Sequence, residues 1–276
     1  MKGIITALCD RLQANLPCAL ATIVRTTGSI PNAVGAKMLV DPAGKLLAGT
    51  IGGGAFEYAA IRQCVAAIGQ RESRLYTWTL TEAQAGGIGM LCGGTAEVFI
   101  EIFATAALLV LVGGGHVNIQ VWRLARELGF RGVVIDDRGD WANAENFPDC
   151  QFLQLSPAAA FAQITWDTDS FVVIGTRDQD TAALRAAALQ DLPCRLIGMI
   201  SSKRKTWQIL KELQREGLDL ARILPRFHSP IGLDLGKTKS PAAVALSIVA
   251  ELQTVRQGGT GRSLSIAQEW SKLPKS

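Results

Sequence analysis

Residues 108–118 read Leu108-Leu109-Val110-Leu111-Val112-Gly113-Gly114-Gly115-His116-Val117-Asn118, an apolar run that ends in three glycines and then opens a helical pattern. A continuous apolar run of this length reads as a strand buried on both faces of a parallel sheet. Glycines between such a strand and a helix permit a tight turn and bring backbone N–H groups close to a phosphate at the helix N-terminus. Asp136 and Asp137 close the next strand-like segment, 132–135, about where a dinucleotide-binding fold places its ribose acid. Asn118 stands at the third glycine position of that pattern, where its side chain is expected to crowd the helix against the strand. Two alternatives stay open. Gly113, Gly115 and His116 form a nucleotide or phosphate pocket, or the chain keeps a Rossmann-type domain whose crevice is degenerate or put to another use. An NAD(P)-dependent oxidoreductase using the Gly113 loop is the catalytic alternative, but no Tyr-Lys or His-Asp constellation accompanies it.

Downstream the same rhythm continues. Strands are expected over 132–135, 170–174 and 195–200, and helices over 117–128, 181–189 and 203–216. A last helix over 241–256 takes Ser240 as its cap and Pro241 in its first turn. This alternation predicts parallel βαβ units with helices on both faces. Upstream the pattern changes to a helix over 3–15, short strands over 19–25, 37–40 and 45–48, a helix over 55–69, and strands over 73–80 and 96–103. Asp41-Pro42-Ala43-Gly44 supplies a hairpin turn. The expected fold class is α/β, an N-terminal α+β domain over 1–104 followed by a Rossmann-type doubly wound parallel-sheet domain over 105–257. A polar C-terminal tail, 258–276, completes the chain.

Composition narrows the function classes. The 276 residues are 48% hydrophobic and 19% charged, which excludes a disordered chain, collagen or a coiled-coil rod. Lys and Arg number 28 against 24 Asp and Glu, a surplus too small and too scattered to track a phosphate backbone, so no nucleic-acid partner is expected. Mean hydropathy is slightly positive, yet no uncharged, continuously apolar run reaches the roughly 18 residues a spanning helix needs, so no membrane partner is expected either. Asp10 and Arg11 interrupt the place where an export signal would be apolar, which makes the cytoplasm the expected location. The six cysteines form no CxxC pair, so neither a disulfide framework nor structural zinc is expected, and most of them should be small buried hydrophobes.

Two glycine-rich loops in the N-terminal half are the stranger signal. In the first, 49–54, the amides of Gly52, Gly53 and Gly54 can form an anion nest, flanked by Lys37 and Glu57. In the second, 86–94, Cys92 sits among glycines that could stabilise its thiolate for nucleophilic or metal-ligand chemistry; the alternative is a buried thiol beside ordinary turns. Ser201, Ser202, Lys203 and Arg204 follow a strand and begin a helix, offering hydroxyls, amides and cations to an anion, or simply an N-cap with a solvated basic turn. His228, in the turn-rich segment 226–232, either meets a phosphate, carries a proton, or ties its loop through a backbone hydrogen bond. Asp178 and Asp180 read as surface or capping residues.

Several blocks together resemble one family. Gly28-Ser29-Ile30-Pro31 with Gly35-Ala36-Lys37-Met38, Gly49-Thr50-Ile51-Gly52-Gly53-Gly54 with Glu57, and Met90-Leu91-Cys92-Gly93-Gly94 are similar to the motifs of the xanthine dehydrogenase accessory proteins, the XdhC/CoxI family. Gly113-Gly114-Gly115-His116-Val117, Asp136-Asp137-Arg138, the segment 197–205 and His228-Ser229-Pro230-Ile231-Gly232-Leu233-Asp234 agree in the same order. The resemblance implies a cytoplasmic carrier rather than a catalyst. Such a factor binds the molybdenum cofactor, assists its sulfuration with a cysteine desulfurase, and delivers it to a xanthine dehydrogenase-like molybdenum hydroxylase. It further implies that Lys37, Gly52, Gly53, Gly54, Glu57, Cys92, Gly113, Gly115, His116, Ser201, Ser202, Lys203, Arg204 and His228 surround the cofactor, with Cys92 as a molybdenum contact, and that the assembly is a homodimer. The chain departs from the family pattern at Asn32, where arginine is usual, at Ala55, where cysteine is frequent, and at Arg177, where histidine is common.

Overall fold

A computed structural model of the chain describes residues 2–80, 93–237 and 239–265. The chain divides into two compact units, Met1–Ala106 and Ala107–Ser276. Among the described residues no helix is long and apolar enough to cross a membrane.

The first unit is an antiparallel sheet carrying helices. Its elements are α1 (Lys2–Gln13), β1 (Cys18–Thr27), β2 (Lys37–Val40), β3 (Leu46–Gly49), α2 (Gly54–Gln70), β4 (Arg74–Leu80) and β5 (Gly94–Phe103), with strand order β3-β2-β1-β5-β4. Alternation along the strands decides which face is buried. Ala19, Ala21 and Ile23 of β1 lie beside Val98 and Ile100 of β5, and this face packs on Phe56, Ala60, Cys64 and Ala67 of α2. Trp78 of β4 closes the cluster edge-on to Phe56, with ring centroids 5.7 Å apart. Most of the second glycine-rich loop, 86–94, and Cys92 with it, lies outside the described residues.

The second unit is the parallel sheet that the run at 108–112 calls for. Its elements are β6 (Leu108–Val112), α3 (His116–Glu127), β7 (Arg131–Ile135), β8 (Cys150–Leu153), α4 (Pro157–Phe161), β9 (Ser170–Ile174), α5 (Asp180–Leu189), β10 (Leu196–Met199), α6 (Lys203–Arg215), β11 (Phe227–His228) and α7 (Pro241–Gln257). All six strands run parallel in the order β8-β7-β6-β9-β10-β11. The residues of β6 divide between two cores. Leu108, Val110 and Val112 pack with residues of α4, α5 and α6, while Leu109 and Leu111 pack with residues of α3 and α7. The expected class, an α+β domain followed by a doubly wound parallel-sheet domain, is the one observed. The short elements β8, α4 and β11 escape the sequence patterns.

From β6 the chain adds β7 and β8 on one side, then returns to add β9, β10 and β11 on the other. That reversal makes the carboxyl ends of β6 and β9 a topological switch point, the place where open α/β sheets bind ligands.

Close packing on β7 depends on Gly132. A Cβ there would stand 2.7 Å from Trp122 of α3 and would also collide with the Cys150 sulfur of β8. Gly132→Ala is therefore expected to lower the unfolding free energy by about 2 kcal/mol through overpacking. Urea denaturation would register this as a lower midpoint with an unchanged slope.

Candidate functional site

The loop after β6 is shaped by what each glycine must avoid. Gly113 has φ +101°, and a Cβ on it would lie 2.5 Å from the Gly175 carbonyl oxygen, so only glycine lets the ends of β6 and β9 approach this closely. Its N–H donates to Ile135 O at 2.8 Å, and the Gly175 N–H donates to Val112 O at 2.9 Å. Gly114 lies under Trp141, whose Cβ would be 3.0 Å from a side chain at that position. Gly115 differs from both. It is the N-cap of α3 at φ −72°, with no side chain accepting from the helix N-terminus, and a Cβ there would meet nothing within 4 Å. His116 stands next to it, edge-on to Trp141 with centroids 4.9 Å apart.

Asn118 does not crowd the packing as expected. Its buried side chain donates to Gly113 O at 2.7 Å and to Val112 O at 3.3 Å. Gly175 of the neighbouring loop provides the room: a Cβ there would stand 3.2 Å from Asn118 Nδ2 and 3.3 Å from Oδ1. The close approach usually granted by a third glycine on the helix is granted here by a glycine across the strand gap.

Asp136, just past β7, is buried and heavily bonded. Its Oδ2 accepts from Gly114 N at 2.6 Å and Arg138 Nη2 at 2.8 Å, and its Oδ1 accepts from Arg138 N and Nε, both at 2.9 Å. Burial pushes this carboxyl up, but the Arg138 side chain and the backbone N–H groups of Gly114 and Arg138 outweigh it and hold the carboxyl at about 2. The Arg138 guanidinium also lies over the Trp141 ring, 5.6 Å from its centroid. Gly113, Asp136, Asp137, Arg138, Thr176 and Arg177 help line a cavity of about 180 Å³. A second cavity of about 270 Å³, sharing Arg138, Thr176 and Arg177, reaches Gly115, His116, Trp141 and Gly175.

The loop after β9 is anchored from below. Asp180 accepts from Thr176 N at 3.1 Å, from Thr176 Oγ1 at 2.6 Å and from Lys205 Nζ at 2.5 Å. It is 2% exposed, so of the two alternatives, surface or capping residue, the first is corrected: burial next to a partner cation makes it the post that ties the loops after β9 and β10. Asp178 is exposed.

The other sequence-predicted residues lie in loops that supply their own acceptors. Ser202 Oγ accepts from Lys205 N at 3.2 Å and so caps α6, while Ser201, Lys203 and Arg204 stay partly or fully exposed. His228 Nδ1 lies 2.8 Å from Glu251 Oε1, and Glu251 Oε2 accepts from Gly232 N at 2.6 Å. His228 therefore ties its strand to α7 through a carboxylate instead of a backbone group. In the first unit Glu57 turns back onto the glycine loop and accepts from Ile51 N at 2.9 Å, from Gly53 N at 3.3 Å and from the Thr50 hydroxyl. Gly52 and Gly54 complete that loop, with positive φ. Lys37 Nζ donates to Thr22 Oγ1 at 2.8 Å. Of these three helix N-termini, α6 is capped by the Ser202 side chain, whereas α2, whose Glu57 accepts from Gly53 N just ahead of the helix, and α3 have no side-chain cap.

The structure thus gathers Gly113, Gly115 and His116 at one crevice with three residues the sequence reading did not assign to a site, Arg138, Trp141 and Arg177. A signal existed for two of them: Arg138 completes the Asp-Asp-Arg ending of β7, and Arg177 follows the Gly-Thr pair that ends β9. Trp141 gave none. Burial raises the thiol of Cys18 and pushes Cys64 and Cys150 up to about 12 and Cys194 to about 11, so these four stay protonated at neutral pH. Among the described residues no group of three His, Cys, Asp or Glu is arranged to hold a metal ion.

Comparison with known proteins agrees with this organisation. Residues 109–252 match the XdhC Rossmann domain, and residues 11–79 match the XdhC and CoxI family. The chain is 34% identical over 261 residues to an uncharacterized protein of Escherichia coli K12, YqeB, a match covering 94% of this chain and 47% of that one. It is 25% identical over 166 residues to a probable xanthine dehydrogenase component of Bacillus subtilis 168, covering 59% of this chain and 47% of that one. The chain therefore spans about half the length of these two curated relatives. A crystal structure of a xanthine dehydrogenase from Bacillus halodurans shares the fold, with a TM-score of 0.50 at 20% identity over 94% of this chain and 98% of that one.

The lowered acidity constant of Asp136 makes a prediction about acid stability. Its stabilising contribution is complete above the unfolded-state value of about 3.9 and is lost as the pH falls towards 2. Between pH 5 and pH 2 the parent should lose about 2 kcal/mol more unfolding free energy than Asp136→Asn, which lacks the titration. Denaturant melts of both proteins across that range check it.

Proposed function

The chain belongs to the XdhC and CoxI family, and from that premise we propose that it is an accessory factor in the maturation of a molybdenum-cofactor-dependent hydroxylase of the xanthine dehydrogenase type. In this role it binds the cofactor, holds it while a cysteine desulfurase supplies sulfur, and passes it to the hydroxylase. A homodimer acting in the cytoplasm completes the proposal. The cofactor itself supplies the redox-active metal; the chain's share is to bind, orient and release it.

One observation carries the binding step. The N-terminus of α3 has no acceptor of its own, and Gly115 faces open space there. A phosphate on the pterin would satisfy those N–H groups and gain from the helix dipole, with Arg138 and Arg177 as nearby cations. The loop 201–204, already capped by Ser202, is the second cradle in the proposal, with His228 beside β10. Lys37, Gly52, Gly53, Gly54 and Glu57 of the first unit remain candidate cofactor residues, although Glu57 already fills the acceptor role in its own loop. Cys92 is the proposed molybdenum contact, because a thiolate binds soft centres more strongly than carboxylates or amides do. A carrier must also let go, so this contact is reversible.

An NAD(P)-dependent oxidoreductase is the second reading, favoured by the strand order alone. Among the described residues no hydrogen-bonded His–carboxylate pair lines the crevice: His116 lies edge-on to Trp141, and His228, which is paired with Glu251, is in neither cavity.

Two variants test the leading reading. Gly115→Val suits the φ of that position and fills the crevice, so the folded variant should retain molybdenum cofactor about tenfold less well than the parent. Equal retention would remove the α3 loop from the site. Cys92→Ala should keep the fold and lower the activation of a cofactor-free xanthine dehydrogenase-like enzyme in a transfer assay. Unchanged transfer would return Cys92 to a packing role.

A further inference from the structure

In this sheet order the acid that ends the second strand normally accepts from a ribose 2′-hydroxyl, while an arginine nearby suits a 2′-phosphate. Asp136 holds the acid's position but has no room for a ribose. An ionised carboxylate offers about four lone-pair sites, and Gly114 N, Arg138 N, Arg138 Nε and Arg138 Nη2 occupy four. The same bonds make Arg138 a fixed cation: Asp136 grips its guanidinium along one edge, Trp141 backs it, and its Nη1 makes no hydrogen bond among the described residues. Asp137 and Asp178 add to the charge that keeps it protonated. Arg177, which lines both cavities, has no ion pair or hydrogen bond among the described residues. Behind Gly175, Asn118 Oδ1 is buried without a partner.

We propose that the switch-point crevice receives a ligand bearing a phosphate monoester, that Arg138 is the residue that binds this group, and that Arg177 is the second cation. A planar guanidinium held in place loses little freedom on binding a phosphate oxygen, and two such forks match a dianion. Two sources carry this chemistry: the terminal phosphate of the pterin cofactor, for which the inference rests on the function proposed above, and the 2′-phosphate of an NADP-type dinucleotide, for which it does not.

The test titrates the full chain with NADP⁺ and with NAD⁺ by calorimetry, and measures molybdenum cofactor retention, for the parent, Arg138→Gln and Arg177→Gln. Arg177→Gln breaks no side-chain bond among the described residues and decides the matter if Arg138→Gln fails to fold. If NADP⁺ binds at least about tenfold tighter than NAD⁺, and the variants abolish that preference while retaining cofactor like the parent, the assignment stands with a nucleotide as ligand. The crevice then leaves the molybdenum reading. If cofactor retention falls about tenfold in the variants with no preference between dinucleotides, the assignment stands with the pterin phosphate as ligand. It is overturned if the two dinucleotides bind alike, or not at all, while the variants retain cofactor like the parent.

Discussion

Burial of Leu108–Val112 on both faces is the constraint from which the second unit follows. All five residues are essentially inaccessible, and burying each large apolar side chain contributes about 1.5–3 kcal/mol. A strand can collect that from both faces only if helices cover both. Helices α3 and α7 do so on one side, and α4, α5 and α6 on the other. Right-handed crossovers then deliver each strand's end and the start of the next helix to one edge of the sheet. The crevice is a by-product of this arrangement, since loops that leave a central strand in opposite directions cannot close over the gap between β6 and β9.

What separates the α3 loop from the starts of α6 and α7 is how the orphan N–H groups of a helix start are satisfied. Every helix begins with N–H groups that lack an intrahelical acceptor. The sequence answers this locally at α6 and α7 with Ser202 and Ser240, while at α2 Glu57 reaches back only to Ile51 N and Gly53 N ahead of the helix. At α3 it places a glycine. The nearest carboxylate, Asp136, stops one residue short, at Gly114. The loop is thus held by a buried anion, while its last amides have no side-chain acceptor.

The loops after β9 and β10 are coupled by the same economy of buried charge. Asp180 would be costly to bury alone, but Lys205 and Thr176 satisfy it. Lys205 comes from the first turn of α6, where the helix dipole disfavours a cation. Asp180 offsets that penalty, so the basic start of α6 reflects a tertiary partner for Lys205, while Lys203 and Arg204 stay in solvent. Arg177 is consequently carried on a loop whose base is fixed and whose tip is exposed.

Periodicity determined much of this protein. The apolar runs at 108–112 and 170–174 read as strands buried on both faces, the helical faces follow their 3.6-residue spacing, and a glycine run between strand and helix marks the carboxyl edge of a parallel sheet. The family motifs, spread over both units, likewise stand in the sequence itself. The edge strands β8 and β11 were not legible, because a short, half-exposed strand has no continuous apolar signature. Nor was the site's inner wiring. That Gly175 makes room for Asn118, that Arg138 and Gly114 saturate Asp136, that Lys205 permits Asp180 to be buried, and that Glu57 fills the nest beside it are facts of distance and angle between chain segments. Spacing along a chain reports which face a residue occupies, whereas the partner it meets there is decided only when the sheet order brings the strand ends together.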